Sequence, residues 1–302
     1  MIGEAALRIA EVLVPIALVA GVGFVVARTG AGGRPTLQRL AIYVFGPPFI
    51  VHTLATADAR LVDLGRTLVF ALGMYGGLAV VGVVVAVALR FRRDAAIASV
   101  LALAATNCGN YGLPLVLYGF GPAALPIGVA FVAAHTTVHM ILGVPAAAVA
   151  SSGRRGRLRM GPAIPFIAAV LVGALVRAYD VSLPTLVERP LELLGQAWIP
   201  TLLLILGMEL GEVDLRGVAW RGVVLAAAKL TLAPLLALGL LVALRFDGLW
   251  FKALLVQSST PTAVNSLLFA REFGARPDLV AGVLALSTLG SVVTVSLLLA
   301  LL

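Results

Sequence analysis

Apolar residues run through this chain in long blocks separated by short polar links. Blocks such as Leu68 to Leu89 and Val223 to Leu244 hold no more than one charged residue each. Each is long enough to cross a bilayer as a helix of about 20 residues. None alternates apolar with polar positions, as a spanning barrel would. In lipid the backbone then has to satisfy itself within helices. The pattern predicts ten membrane helices, at 7–27, 40–57, 67–89, 95–118, 123–149, 163–178, 191–208, 219–243, 250–270 and 279–301. The first is read as a span and not as a cleaved leader, because Glu4 and Glu11 flank its start, Pro15 interrupts it and 163–178 repeats it.

The repeat is internal and covers the chain. Pro15 and Gly23 recur as Pro165 and Gly173; Leu40, Phe45 and Pro47 recur as Leu193, Trp198 and Pro200; Phe120-Gly121 recurs as Phe273-Gly274, all at an offset of 150 to 153 residues. Five spans per half is an odd number, so the second half enters from the opposite side. The fold class expected is an all-α integral membrane protein of ten transmembrane helices in two inverted five-helix repeats, with broken, crossing fourth and ninth helices. Its units are 1–150, a basic cytoplasmic connector at 151–160, and 161–302.

Composition agrees. Hydrophobic residues make up 61% and charged residues 12%, against about 25% charged in soluble domains, and mean hydropathy is +1.08. Of the 22 basic residues, the ten-span reading puts fourteen on one face and seven on the other, with Lys229 inside a span. The positive-inside rule makes the richer face cytoplasmic and both termini extracytoplasmic. The net charge of +8 is then accounted for by orientation in a cell membrane, with some attraction to anionic lipid, and needs no nucleic acid. The single cysteine, Cys108, cannot form an internal disulfide.

Candidate chemistry gathers where two spans are interrupted. The first interruption reads Thr106-Asn107-Cys108-Gly109-Asn110-Tyr111-Gly112-Leu113-Pro114, the second Gln257-Ser258-Ser259-Thr260-Pro261-Thr262-Ala263-Val264-Asn265-Ser266. Proline removes a backbone donor and biases the preceding residue away from helix. Polar residues at membrane depth are costly unless they face protein or water. Each segment is expected to be two half-helices with an irregular joint, whose free amides at the second half's start favour an anion. Interrupted segments at matching repeat positions point to a transporter's substrate site. The plainer reading is a pair of proline kinks capped locally by Ser and Thr.

The stretch Val256-Gln257-Ser258-Ser259-Thr260-Pro261, followed by Leu268-Phe269-Ala270-Arg271-Glu272-Phe273-Gly274, resembles the ninth helix of the auxin efflux carrier family. Asn107 through Gly112-Leu113-Pro114, then Tyr118-Gly119, resembles that family's fourth helix. The resemblance implies the fold shared with bile-acid symporters and sodium–proton antiporters, in which broken helices cross at mid-membrane inside a moving domain. Spans one, two, six and seven would be the scaffold, spans three to five and eight to ten the moving body. Asn107 falls where plant carriers have the crossover asparagine beside their substrate's carboxylate. The chain departs from them at Thr106, where they have proline, at Thr262-Ala263, where they have glutamine and glycine, and in lacking their long central loop. Prokaryotic-type members are associated with small carboxylates such as malate and malonate.

The substrate-binding set expected is Asn107, Asn110, Tyr111, Pro114, Gln257, Thr260, Pro261, Thr262 and Asn265. No Asp or Glu falls in either interruption, which favours an anionic or neutral cargo over a bare cation. Lys229 is read either as an amine bonded to carbonyls at a helix break or as a counter-charge for the cargo. His135 and His139, four apart on one helical face, are read either as packing residues or, with Thr136, as a proton relay. Two histidines alone leave a metal site incomplete, so no metal and no cofactor are expected. His52 is read as packing, and Ser287, Ser291 and Thr294 as a small-residue helix contact. Glu209 and Glu212 are read as interfacial, with salt-bridge or gating roles left open, and Gln196, Trp198 and Pro200 as a kink matching Tyr43, Phe45 and Pro47. The function expected is secondary transport of a small organic anion by alternating access. The alternatives are a ligand sensor that carries nothing and a sodium-coupled symporter of the bile-acid type; an enzyme is disfavoured. A coupling proton or sodium ion and a homodimer are left open.

Overall fold

The computed structural model describes residues 2–56, 61–143, 145, 147, 163–212 and 220–302. The predicted connector at 151–160 lies outside them. Among the described residues the chain is helical, with no strand and one isolated antiparallel bridge, Thr106 to Thr262. The first predicted segment is α1 (Ile2–Thr29); the second is α2 (Arg34–Leu40), a π turn at Ala41–Phe45 and α3 (Gly46–Ala55); the third is α4 (Leu61–Ala88). The fourth comprises α5 (Arg93–Ala104), a π turn at Cys108–Gly112 and α6 (Leu113–Phe120), and the fifth α7 (Leu125–Val138) running into a π turn at His139–Gly143. Then follow α8 (Ala163–Ala178), α9 (Thr185–Gln196), α10 (Trp198–Glu212), α11 (Trp220–Ala243), α12 (Gly248–Ser258), α13 (Val264–Phe273) and α14 (Pro277–Leu301).

Among the described residues, six helical stretches are long and apolar enough to cross a membrane: Ile9–Thr29, Val62–Ala88, Pro122–Gly143, Thr185–Glu212, Trp220–Ala243 and Pro277–Leu301. The other four predicted segments are built differently. Two are divided by the interruptions, one is widened by the π turn before Gly46-Pro47, and α8 has 16 residues. Large apolar side chains such as Leu18, Val87, Val242 and Leu297 point outward. The centre instead holds buried Lys229, His135, Gln257 and Thr262. Contiguous exposed apolar surface of this kind calls for an apolar surrounding.

Sequence explains how the helices end and where they touch. Val-Ala-Leu-Arg-Phe occurs twice, at 87–91 and 242–246. In both copies the arginine takes a left-handed conformation, φ 51° at Arg90 and 56° at Arg245. In both, the phenylalanine N–H closes on the carbonyl five residues back, Phe91 to Ala86 at 2.8 Å and Phe246 to Leu241 at 3.0 Å. This is the Schellman pattern, which uses up carbonyls that a helix end leaves bare. The recurring glycines also play one role. A Cβ on Gly23 of α1 would strike the backbone of Leu204 in α10, and one on Gly173 of α8 would come 2.9 Å from Leu54 Cβ of α3. Small residues let backbones approach where lipid offers no hydrophobic drive. The two crossings, α1 with α10 and α3 with α8, pack beside a second group in which α4 meets α5, α7 and α11, and α14 meets α11 and α13.

A substitution at the α1–α10 crossing should separate contact from helix propensity. Gly207→Ala puts its Cβ against the Ala20 backbone and should cost about 1–3 kcal/mol by overpacking. Gly21→Ala meets nothing within 4 Å and should be neutral or stabilise by up to about 1 kcal/mol. Thermal melting of the two variants in detergent checks the contrast.

Candidate functional site

The interruptions meet. α5 stops at Ala104 and α12 at Ser258, and the extended residues beyond them run antiparallel. Asn107 N–H donates to Pro261 O at 2.8 Å, and Ala263 N–H donates to Ala105 O at 3.0 Å. Pro261 has no N–H, so it enters the pair as an acceptor only. The N–H of Gly112 then turns back to Asn107 O at 3.0 Å, winding Cys108–Gly112 into a π turn that leads into α6 with Pro114 in its first turn.

Thr106 is the most connected residue in the pair. Its N–H donates to His135 Nε2 at 3.1 Å, and its hydroxyl accepts from Lys229 Nζ at 3.1 Å. Lys229 Nζ also donates to Leu103 O, in the last turn of α5, at 2.8 Å. A cation there offsets the partial negative charge at a helix C-terminus. Lys229 is wholly buried, and no described carboxylate lies within ion-pair distance of it. Across the pair, Thr262 donates its hydroxyl to Ala102 O at 2.8 Å and its N–H to Ser287 Oγ of α14 at 3.2 Å.

Gln257 locks the pair from the side. Its amide Nε2 donates to Cys108 O at 2.9 Å and Gly128 O at 3.1 Å. A Cβ on Gly112 would approach Gln257 Cγ to 2.7 Å, and one on Gly128 would approach Gln257 Oε1 to 3.3 Å, so both glycines make room for this side chain. Oε1 itself has no hydrogen-bond partner. Thr260 folds onto its own helix, donating to Gln257 O at 2.8 Å. The Tyr111 and Ser291 hydroxyls lie 3.1 Å apart, which joins the π turn to α14.

Of the residues expected at the site, the structure brings together Asn107, Tyr111, Pro114, Gln257, Thr260, Pro261, Thr262, Lys229 and His135, all buried. Asn110 is half-buried and turns to the far side of the π turn, where its side chain reaches Glu209 of α10. Asn265 is exposed in the first turn of α13 and takes no part in these hydrogen bonds. His139 stands one layer away, its Nδ1 3.2 Å from the Tyr75 hydroxyl. The relay imagined through Thr136 is not among the hydrogen bonds of the described residues; the partners are Thr106 and Tyr75. His135 accepts through Nε2, so its neutral form carries the proton on Nδ1, which is unpartnered. No group of three His, Cys, Asp or Glu side chains among the described residues could hold a metal ion. Sequence reading missed Thr106 as the hub, Tyr75, and the contacts that Ser287 and Ser291 make with the interruptions. For Ser287 and Ser291 the helical spacing showed a shared face but not what it meets.

The chain is also similar in sequence to known proteins. Residues 159–299 match the family described as "Membrane transport protein". Curated relatives include a "Putative malonate transporter" of Rhizobium meliloti (strain 1021), 28% identical over 263 residues that cover 82% of this chain and 77% of that protein. Another is an "Uncharacterized transporter" of Methanothermobacter thermautotrophicus (strain Delta H), 28% identical over 200 residues, 65% of each chain. The family match takes in the second interrupted segment, and both relatives are named as transporters, in keeping with the resemblance read from the sequence. They point to a multi-pass membrane transporter with a small-molecule substrate, and not to an enzyme.

The Lys229–Thr106 contact can be weighed directly. In a double-mutant cycle of Lys229→Met and Thr106→Val, thermal or denaturant unfolding in detergent should give a coupling of about 0.5–3 kcal/mol. Additive losses would mean that the contact holds nothing.

Proposed function

We propose that this chain is a secondary transporter of a small carboxylate anion, carried by alternating access with the anion held at the paired interruptions. The observation that carries the reading is Lys229: a buried ammonium beside the bridge with no described carboxylate to neutralise it. A buried charge left uncompensated is expensive, and an anionic cargo supplies the missing charge. Two of the three ammonium protons are spent on Leu103 O and Thr106 Oγ1, leaving one. The first residues of α13 add N–H groups of the kind a helix start leaves free, whereas the Cys108 N–H at the start of the π turn is already given to Thr106 O at 2.8 Å. The carboxamide of Asn107 forms no hydrogen bond with another described residue, so it is available to a carboxylate.

In this reading the two halves are inverted five-span repeats. The duplicated Val-Ala-Leu-Arg-Phe turns and the matching crossings at Gly23 and Gly173 support it. The scaffold is α1 to α3 with α8 to α10, and the moving body is α4 to α7 with α11 to α14. Packing is consistent with this division, since α1 lies on α10 and α3 on α8, while the bridge, Lys229 and Gln257 all belong to the other group. The membrane is the cell's inner or plasma membrane, with both termini outside. The cargo-contacting set is Asn107, Tyr111, Pro114, Gln257, Thr260, Pro261 and Thr262, with Lys229 as counter-charge; Asn110, which reaches Glu209, and the exposed Asn265 stand outside it. The relative from Rhizobium meliloti carries malonate in its name, which makes malonate the first cargo to try.

Protein reconstituted in liposomes and preloaded with malonate should take up labelled malonate by counterflow. Malonate should also raise the melting temperature of the detergent-solubilised protein, as any ligand of the folded state does. Asn107→Ala and Lys229→Met should lose both effects. Stabilisation without counterflow would favour a sensor, and neither effect with any small mono- or dicarboxylate would overturn the proposal.

A further inference from the structure

Glu209 is the only Asp or Glu buried among the described residues, at 4% exposure. It sits near the end of α10, where that helix packs on the π turn of the first interruption. Its Oε1 accepts from Gln38 Nε2 of α2 at 3.2 Å and lies 3.9 Å from Arg34 Nη1. Its Oε2 has no hydrogen-bond partner. Arg34 is committed elsewhere: it grips Glu212 with Nε on Oε1 at 3.0 Å and Nη2 on Oε2 at 2.8 Å. Glu209 therefore receives only the outer edge of the guanidinium's charge. The Asn110 side chain reaches the same carboxyl from the π turn.

A buried carboxylate with one bare oxygen is completed by a cation or by a proton. A metal cation needs several oxygen ligands around it, and Arg34 stands too close for a second full positive charge. A proton needs the one oxygen and cancels the charge that burial penalises. The charged side chains acting on Glu209 are Arg34 and Glu212; Gln38 and Asn110 are neutral. Glu212 is about half exposed, so the cluster runs from the surface to the π turn.

We propose that Glu209 is the proton-binding site that couples transport to the proton gradient. The proposal rests on the transporter reading above and names its coupling ion. Charged, Glu209 holds Asn110 and Arg34, which ties the π turn to α10. On taking a proton at Oε2 it loses its charge, the ionic part of that hold disappears, and the body carrying the bridge is free to move past α10. The proton is given back when the contact reforms.

Two readouts test this. Infrared difference spectra of the purified protein, titrated between neutral and alkaline pH, above the range in which exposed carboxylates take up protons, should contain a protonated-carboxyl carbonyl band that Glu209→Gln lacks and Glu212→Gln keeps. In liposomes, Glu209→Gln should keep malonate counterflow but lose accumulation driven by an inward proton gradient. A band that survives in Glu209→Gln, or gradient-driven accumulation equal to the parent's, overturns the proposal. If Glu209→Gln does not fold, Glu209→Asp keeps a carboxyl and should shift the band in frequency; an unmoved band overturns the proposal equally. A parent that carries no carboxylate defeats the transporter reading, while the infrared band still decides whether Glu209 binds a proton.

Discussion

A polypeptide that leaves its helices in the middle of an apolar body must find new partners for its backbone, because water is not there to supply them. In this protein the two departures are partners for each other. Asn107 N–H and Ala263 N–H are received by Pro261 O and Ala105 O, and a two-residue fragment of antiparallel ladder results inside an otherwise helical structure. Neither interruption is tenable alone. The rest of the centre follows from that pairing, since it fixes which way Thr106 and Thr262 face and so which side chains must come to meet them.

Three of those side chains arrive from other helices, and the fourth from the end of α12 itself. Lys229 comes from α11, His135 from α7, Ser287 from α14, and Gln257 from the end of α12. Each donates to or accepts from a group that the interruption would otherwise leave bare. The cost of an unmet buried polar group, about 1–3 kcal/mol, explains why so many polar residues are concentrated here. Lys229 has a structural duty at the end of α5 and a surplus of charge at once. The two readings that the sequence left open for it are therefore compatible.

Much of this was legible in the residues. Hydropathy located the helices, and Pro114, Pro261 and the clustered Asn, Gly, Ser and Thr residues marked the departures from helix. Local chemistry was enough, because each signal acts within a few residues of where it stands. Partners were not legible. Nothing near Thr106 in sequence announces Lys229, 123 positions away, or His135, and nothing near Glu209 announces Asn110. Glu209 read as interfacial because it lies, with Glu212, near the end of a span, yet the packing of α10 on α2 and the π turn buries it. The π turns at 41–45 and 139–143 were also hidden, since they change the winding of a helix without changing its apolar pattern. The duplicated Val-Ala-Leu-Arg-Phe was visible at an offset of 155, just beyond the other recurrences, and acquires meaning only as a matched pair of helix ends.

Gln257 has a mechanical consequence. One carboxamide clamps the Cys108 carbonyl from one departure and the Gly128 carbonyl from α7, while itself belonging to the helix that leads into the other departure. Three pieces of chain are thereby riveted at a single point, with two glycines cut away to seat the rivet. On the transport reading proposed above, a cargo held between the two tips is not let go by prising them apart. It travels with them as a passenger in a closed hand, and the hand as a whole changes which side of the wall it faces.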